Sequence, residues 1–318
     1  MQIPQIDLEG SLQPQGPGSA KVARQIRDAG LSAGFFYVSG HGVPEALIER
    51  QFALTRALFD LPASAKEAVS LKRSRCLRGY EALGEQRLDE HSRPDLKESF
   101  YCGLSYPDDH SYVQRGFYSY GNNQWPAELP VLQPQCAAYT EAMLSLARRL
   151  MQLMALSLGL PESWFDATGE NPMVTLRLLR YPPHPADADA RSFGAGAHTD
   201  WGAITLLAQD RHGGLEVQMP DGRWCDATPI AGALVVNLGD MVPRWTNGLY
   251  HSNPHRVRNL YSGGEPRHSI PFFYSPDYLA RAEPVPTCVS AENPARFAPC
   301  TAGEHLQEMA EKTYRLQS

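Results

Sequence analysis

Apolar positions near the start of the chain recur first at strand spacing and then at helical spacing. Ile3-Pro4-Gln5-Ile6-Asp7 reads as a short strand, followed by a loop rich in Gly, Pro and Gln up to Gly18. Ser19 is expected to cap a helix whose apolar positions are Val22, Ile26 and Leu31. Residues 34–38 form a strand, and Gly40-His41-Gly42-Val43-Pro44 turns into a second helix with Pro44 at its first position. Leu47, Ile48, Leu54, Leu58 and Phe59 supply its buried face, and Leu61-Pro62 ends it. Over residues 66–123 the periodicity dissolves into charge, aromatics and turns. Residues 129–158 then predict one long helix with Met143, Leu146, Leu150, Leu153, Met154 and Leu158 as a core stripe, stopped by Gly159 and Pro161.

Beyond Asn171 the texture changes to short strand candidates beginning at Met173, Ala203, Leu215, Ala233, Tyr250, Arg256 and His268. Pro220-Asp221-Gly222 is a hairpin turn between two of them. Many short strands at this spacing predict a sandwich, jelly roll or small barrel, giving an α+β chain with its helices first and its β core second. Leu306, Met309 and Tyr314 fall at helical spacing in the tail, so a terminal helix is expected on the core or over a pocket mouth. No repeat, low-complexity run or long linker separates independent domains. The expected division is 1–125, an N-terminal helical and strand region; 126–285, the β core with its long supporting helix; and 286–318, the tail.

Composition narrows the function classes. A net charge of −6 over 318 residues offers no basic patch for nucleic acid or anionic lipid. No apolar run approaches a membrane span, and the start lacks the basic and apolar parts of a secretory signal. Six scattered cysteines without Cys-x-x-Cys suit free thiols in a reducing compartment, so a cytoplasmic protein is expected.

The chemistry centres on His198-Thr199-Asp200. The residues that follow alternate and are rich in Ile, Thr and Leu, which reads as a buried strand. Side chains two apart on a strand share a face, so His198 and Asp200 are expected to project together where a divalent metal can bind. A distant second histidine would complete a facial triad with open positions. Asn253-Pro254-His255-Arg256-Val257 offers it; Pro254 argues against a helical turn shared with His251, which leaves His255 alone. Arg267-His268-Ser269 is the one Arg-x-Ser in the chain, and on a strand its guanidinium and hydroxyl share a face suited to a carboxylate. Together these sites suit a small dianion that chelates metal at one end and anchors a carboxylate at the other.

These residues resemble the iron- and 2-oxoglutarate-dependent oxygenases of the isopenicillin N synthase-like group. The resemblance rests on Pro4-x-Ile6-Asp7, the stretch from Gly34-Phe35-Phe36-Tyr37-Val38 to Val43, Arg180-Tyr181-Pro182-Pro183 and His198-Thr199-Asp200. It continues in order through Asn237-Leu238-Gly239-Asp240, Trp245-Thr246-Asn247-Gly248, Pro254-His255-Arg256-Val257 and Arg267-x-Ser269. It implies a double-stranded β-helix (jelly-roll) core with flanking N-terminal and C-terminal helices. His198, Asp200 and His255 would hold Fe(II), Arg267 and Ser269 the distal carboxylate of 2-oxoglutarate, and Tyr181 would add a hydrogen bond. The implied reaction uses O2, releases succinate and CO2, and oxidises a small-molecule substrate, usually by hydroxylation. Two features depart from the pattern: Leu179 stands where many members carry Asn, and Ser262-Gly263-Gly264 suggests an enlarged turn between His255 and Arg267. Alternatives are an oxidase that does not use 2-oxoglutarate as ordinary cosubstrate, an ethylene-forming relative, or a non-catalytic metal-binding module.

Arg177, four residues before Tyr181 on the same expected strand, is a candidate for a substrate carboxylate, with a cosubstrate-side or structural ion pair as the competing role. Phe100 and Arg78 are further pocket candidates, whereas Trp201 is expected to pack. His41, His184 and His212 read as loop residues, and Gly239-Asp240 and Asn247-Gly248 as turns. The sequence selects no oligomeric state and no single substrate.

Overall fold

Strands whose residues are buried on both faces need a layer on either side, and the long strands Pro172–Tyr181 and Arg267–Asp277 are of this kind. The structure, a computed structural model, describes residues 2–89, 93–117, 119–183, 193–258 and 264–315. His184, Ser262 and Gly263 fall outside them, as does the Tyr314 side chain. In chain order the elements are β1 (Gln5–Asp7), α1 (Ser19–Leu31), β2 (Phe35–Ser39), α2 (Glu45–Phe59), α3 (Ala63–Ala68), β3 (Gly79–Glu81) and β4 (Glu98–Cys102). Next come α4 (Ser111–Gln114), α5 (Leu132–Ser157), β5 (Pro172–Tyr181), β6 (Ala195–His198), β7 (Ile204–Gln209), β8 (Leu215–Gln218) and β9 (Trp224–Asp226). The chain ends with β10 (Leu234–Leu238), α6 (Met241–Trp245), β11 (His255–Val257), β12 (Arg267–Asp277), β13 (Arg281–Ala282), β14 (Cys300–Thr301) and α7 (Ala302–Arg315).

Eight strands form the major sheet in the order β1-β2-β10-β7-β12-β5-β4-β3, and β6-β11-β8-β9 form the minor sheet. Among the described residues, β1 and β2 are the only two strands of these sheets that pair with each other in parallel. Strand parity sorts the side chains. Leu176, Leu178, Ile270 and Phe272 join the core beneath α1, α2 and α5, which contains the expected stripe Met143, Leu146, Leu150, Leu153 and Met154. Full burial of each such side chain is worth about 1.5–3 kcal/mol. Tyr37, Leu179, Tyr181 and Val235 point the other way, against Leu215, Val217 and Val257 of the minor sheet. This second, smaller core lies inside the double-stranded β-helix, beside the site.

Several expectations are corrected. Ser19 is the first helical residue and makes no cap; Gly18 precedes it, and the Ser19 hydroxyl accepts from the Arg149 guanidinium at 2.8 Å instead. The strand expected at Tyr250 is absent: Tyr250 is buried in an irregular segment, its hydroxyl 2.8 Å from Ser157 Oγ. The aperiodic stretch contains β3 and β4, which extend the major sheet, and the short β6 and β9 were not anticipated. Among the described residues no helix is long and apolar enough to cross a membrane, and all six cysteines are free.

Candidate active site

His198 is the last residue of β6, and Asp200 lies in the turn that follows, so the two do not share a strand. Their convergence has another cause. The Asp200 carbonyl accepts the Asp240 N–H at 2.8 Å, which folds the turn over the end of β10. Gly239 permits this approach, since a Cβ there would lie 2.3 Å from the Gly202 carbonyl oxygen. His255 opens β11 directly opposite His198 in the ladder.

One donor atom from each of His198, Asp200 and His255 lies within 4.8 Å of the others. Asp200 Oδ1 is 3.9 Å from His198 Nε2 and 3.6 Å from His255 Nε2. The other carboxylate oxygen, Oδ2, accepts from Asn237 Nδ2 at 2.6 Å and from Thr205 Oγ1 at 2.5 Å. Burial opposes the charge on Asp200, but the two histidines and these two donors outweigh it and hold the carboxyl below its usual range. The Gly196 carbonyl accepts a hydrogen bond from His198 Nδ1 at 2.7 Å, so the proton sits there and Nε2 keeps its lone pair. Burial and the neighbouring His255 hold His198 well below the ordinary imidazole range, in the neutral form a metal ligand needs. Two imidazoles and one ionised carboxylate with an unengaged oxygen fit a divalent first-row metal.

Beside this cluster a cleft is lined by Tyr181, Arg267, Ser269, Leu179 and Lys97 together with all three candidate ligands. Arg267 and Ser269 share the inner face of β12, while His268 points to the other side. The Arg267 guanidinium lies 4.8 Å from the centre of the Tyr181 ring and donates to Gly213 O and, at 3.1 Å, to Gln209 Oε1. It is buried, its Nη1 has no partner, and no carboxylate meets it among the described residues. A buried cation with a free donor suits an anionic ligand, so the carboxylate end of 2-oxoglutarate fits.

A second cavity, about 860 Å³ when the open space at its mouth is included, adjoins the first across His198, Asp200, Arg177 and Phe273. Trp201, expected to pack, also lines it, as do Tyr101 and Leu306 of α7. Arg177 borders both cavities; one of its Nη atoms donates to Glu81 at 3.0 Å, Gln86 at 2.7 Å and Ser99 at 2.8 Å. Arg78 lines the second cavity from full burial, donating to Thr175 Oγ1 at 3.2 Å and to the carbonyls of Ser119 and Val174, both at 3.0 Å. Phe100 is not in either wall. It pairs with Leu178 across the β4–β5 ladder and faces the helix-side core against Trp125; its neighbour Tyr101, opposite Arg177, faces the cavity. Neither Thr205 nor Asn237 has a role in the sequence reading, although Asn237 stands in one of the motifs that carry the resemblance; the other signal for both is a polar residue at an inward position of an otherwise apolar buried strand.

Residues 171–276 match the family described as the 2OG-Fe(II) oxygenase superfamily, and residues 3–128 match non-haem dioxygenase in morphine synthesis N-terminal. The 2-oxoglutarate-Fe(II) type oxidoreductase hxnY of Emericella nidulans is 37% identical, the match covering 98% of this chain and 90% of that protein. The 2-oxoglutarate-dependent dioxygenase caaD of Aspergillus niger is 40% identical over 93% of this chain and 91% of its own. Among solved structures, a full-length Neurospora crassa protein in complex with alpha-KG and 5-formyluracil superposes with a TM-score of 0.84 at 29% identity, covering 99% of this chain and 96% of that one. The chain therefore belongs to the 2OG-Fe(II) oxygenase superfamily and is a 2-oxoglutarate-dependent Fe(II) dioxygenase built on a jelly-roll core.

Proposed function

We propose that His198, Asp200 and His255 hold the Fe(II), that Arg267, Ser269 and Tyr181 receive the distal carboxylate of 2-oxoglutarate, and that the adjoining cavity takes a small organic molecule for hydroxylation. The observation that carries this reading is the shared wall: the three-ligand cluster stands between a cleft with an unpaired buried guanidinium and a larger, mainly apolar cavity. Bound Fe(II) and 2-oxoglutarate supply the oxidative decarboxylation to succinate and CO2 and the activation of O2. The chain's own residues orient and exclude. Gly196 fixes the His198 tautomer, Thr205 and Asn237 fix the Asp200 carboxylate, and Trp201, Phe273 and Leu306 keep water from the reacting carbon. The Arg177–Glu81–Gln86 cluster and Arg78 offer the polar groups on the substrate side. The motif order supports the isopenicillin N synthase-like branch, and the free cysteines support a cytoplasmic setting.

The test is anaerobic visible absorption as Fe(II) and then 2-oxoglutarate are added to the apoprotein. A metal-to-ligand charge-transfer band is expected, lost in Arg267→Ala with iron retained, while Asp200→Ala loses iron itself. Equal iron and 2-oxoglutarate affinities in both variants would overturn the assignment. Succinate released per O2 consumed, across a panel of small molecules, then identifies the substrate.

A further inference from the structure

Lys97 stands on the wall of the cosubstrate cleft and has no part in the roles above. It precedes β4 by one residue, so extending the β4–β5 ladder one step sets it beside Tyr181, which is itself opposite Arg267. Lys97, Tyr181 and Arg267 therefore form one row across the inner face of the major sheet. The Lys97 side chain is only 2% exposed. An ammonium has three donors; among the described residues one carboxylate, that of Asp95, receives it. Asp95 Oδ1 in turn accepts the Gly196 N–H at 3.0 Å, and the Gly196 carbonyl accepts from His198 at 2.7 Å. This chain of contacts ties the ammonium to the His198 end of the cleft. The Arg267 guanidinium is tied at the opposite end, to Gly213 and Gln209. Two residues along the same face of β5, Leu179 presents only hydrocarbon to the same cleft.

We propose that Lys97 donates to the carboxylate beside the keto group of 2-oxoglutarate, at the metal-chelating end. The assignment rests on the cosubstrate site proposed above. Burial presses the Lys97 ammonium down to about 8 despite Asp95, and the nearby Arg177 adds to the effect. Asp95, with a smaller contribution from Glu81, does not offset the burial of the ammonium, and a carboxylate bound in the cleft would add to their effect.

Fe(II)-loaded enzyme is titrated without O2, with 2-oxoglutarate and separately with pyruvate, a 2-oxo acid that keeps the chelating end and lacks the distal carboxylate. Lys97→Met is expected to weaken both ligands about 10- to 100-fold, the size of a lost charge-assisted hydrogen bond, with Fe(II) affinity unchanged. Arg267→Ala should weaken 2-oxoglutarate alone. Wild-type pyruvate affinity in Lys97→Met would overturn the proposal, as would a loss confined to 2-oxoglutarate, which would put Lys97 at the distal end. If Arg267→Ala binds 2-oxoglutarate normally, the underlying site fails and the Lys97 assignment with it; a loss in Arg267→Ala alone removes only Lys97. Should Lys97→Met not fold because Asp95 is left charged and unpaired, the double variant Asp95→Asn/Lys97→Met removes both charges, keeps an oxygen for Gly196, and is read in the same way.

Discussion

Thr205→Val tests whether the polar groups behind Asp200 set metal affinity. Valine keeps the shape of threonine and removes one of the two donors on Asp200 Oδ2, leaving Asn237 at 2.6 Å. A hydrogen bond to a charged, buried group contributes about 1.5–3 kcal/mol, and each 1.4 kcal/mol is tenfold in binding. Partial takeover by Asn237 favours the lower end, so Fe(II) affinity should fall about tenfold, within the range for outer-sphere partners of metal ligands. Asn237→Leu should cost at least as much. The double variant should lose more than the product of the two, because neither donor is left to take over from the other. Anaerobic calorimetry of apoprotein with Fe(II) measures the affinity, and 2-oxoglutarate titrated at saturating iron should bind both variants as it binds wild type. If both single variants are folded and hold iron with wild-type affinity, the carboxylate is not positioned by these residues or is not a ligand.

Two further expectations probe strand parity and the turn beneath Arg267. Phe100→Ala should destabilise the fold by about 3–5 kcal/mol in denaturant unfolding, because Phe100 is fully buried in the helix-side core. Tyr101→Phe, which removes the 2.8 Å hydrogen bond to Glu81, should instead raise substrate KM with a stability change of about 1 kcal/mol; a KM change confined to the Phe100 variant would reverse the parity. Asp210 accepts the backbone N–H groups of His212, at 3.0 Å, and of His268. Burial opposes its charge, yet these bonds and those from both imidazoles bring its carboxyl down to about 2. A folded-state value below the unfolded one, near 4, stabilises the protein fully above that unfolded value and loses its contribution as pH falls through about 2. After allowance for solvent screening, Asp210→Asn should be about 1–2 kcal/mol less stable than wild type at pH 7, the gap closing toward pH 2. A gap independent of pH would remove the carboxylate from the account.

What the sequence conveyed follows from how local each signal was. The alternation of Arg267, His268 and Ser269 fixed two faces of β12 because the strand carries unlike groups on them. His198 and Asp200 converge, but not by sharing a strand: Asp200 lies in the turn after β6, and that turn is held by the Asp240 N–H, just past the end of β10 and far along the chain. The β3–β4 region resisted for a physical reason. Buried charges read as surface when their partners are remote, and here they pair over long separations: Arg177 with Glu81 across 96 residues and Lys66 with Glu98 across 32. All five residues of β4 are buried, so no polar alternation marked which of Phe100 and Tyr101 faced the cavity. Register against β5 decides it, and register is tertiary information. The same pairs make this the part of the wall where specificity can change most cheaply. A substitution at Glu81 or Gln86 would alter what Arg177 can offer a ligand without touching the three metal-ligand candidates or Arg267. The least legible segment of the chain is therefore also one that lines the cavity beside the three metal-ligand candidates, through Arg78, Gln86 and Tyr101.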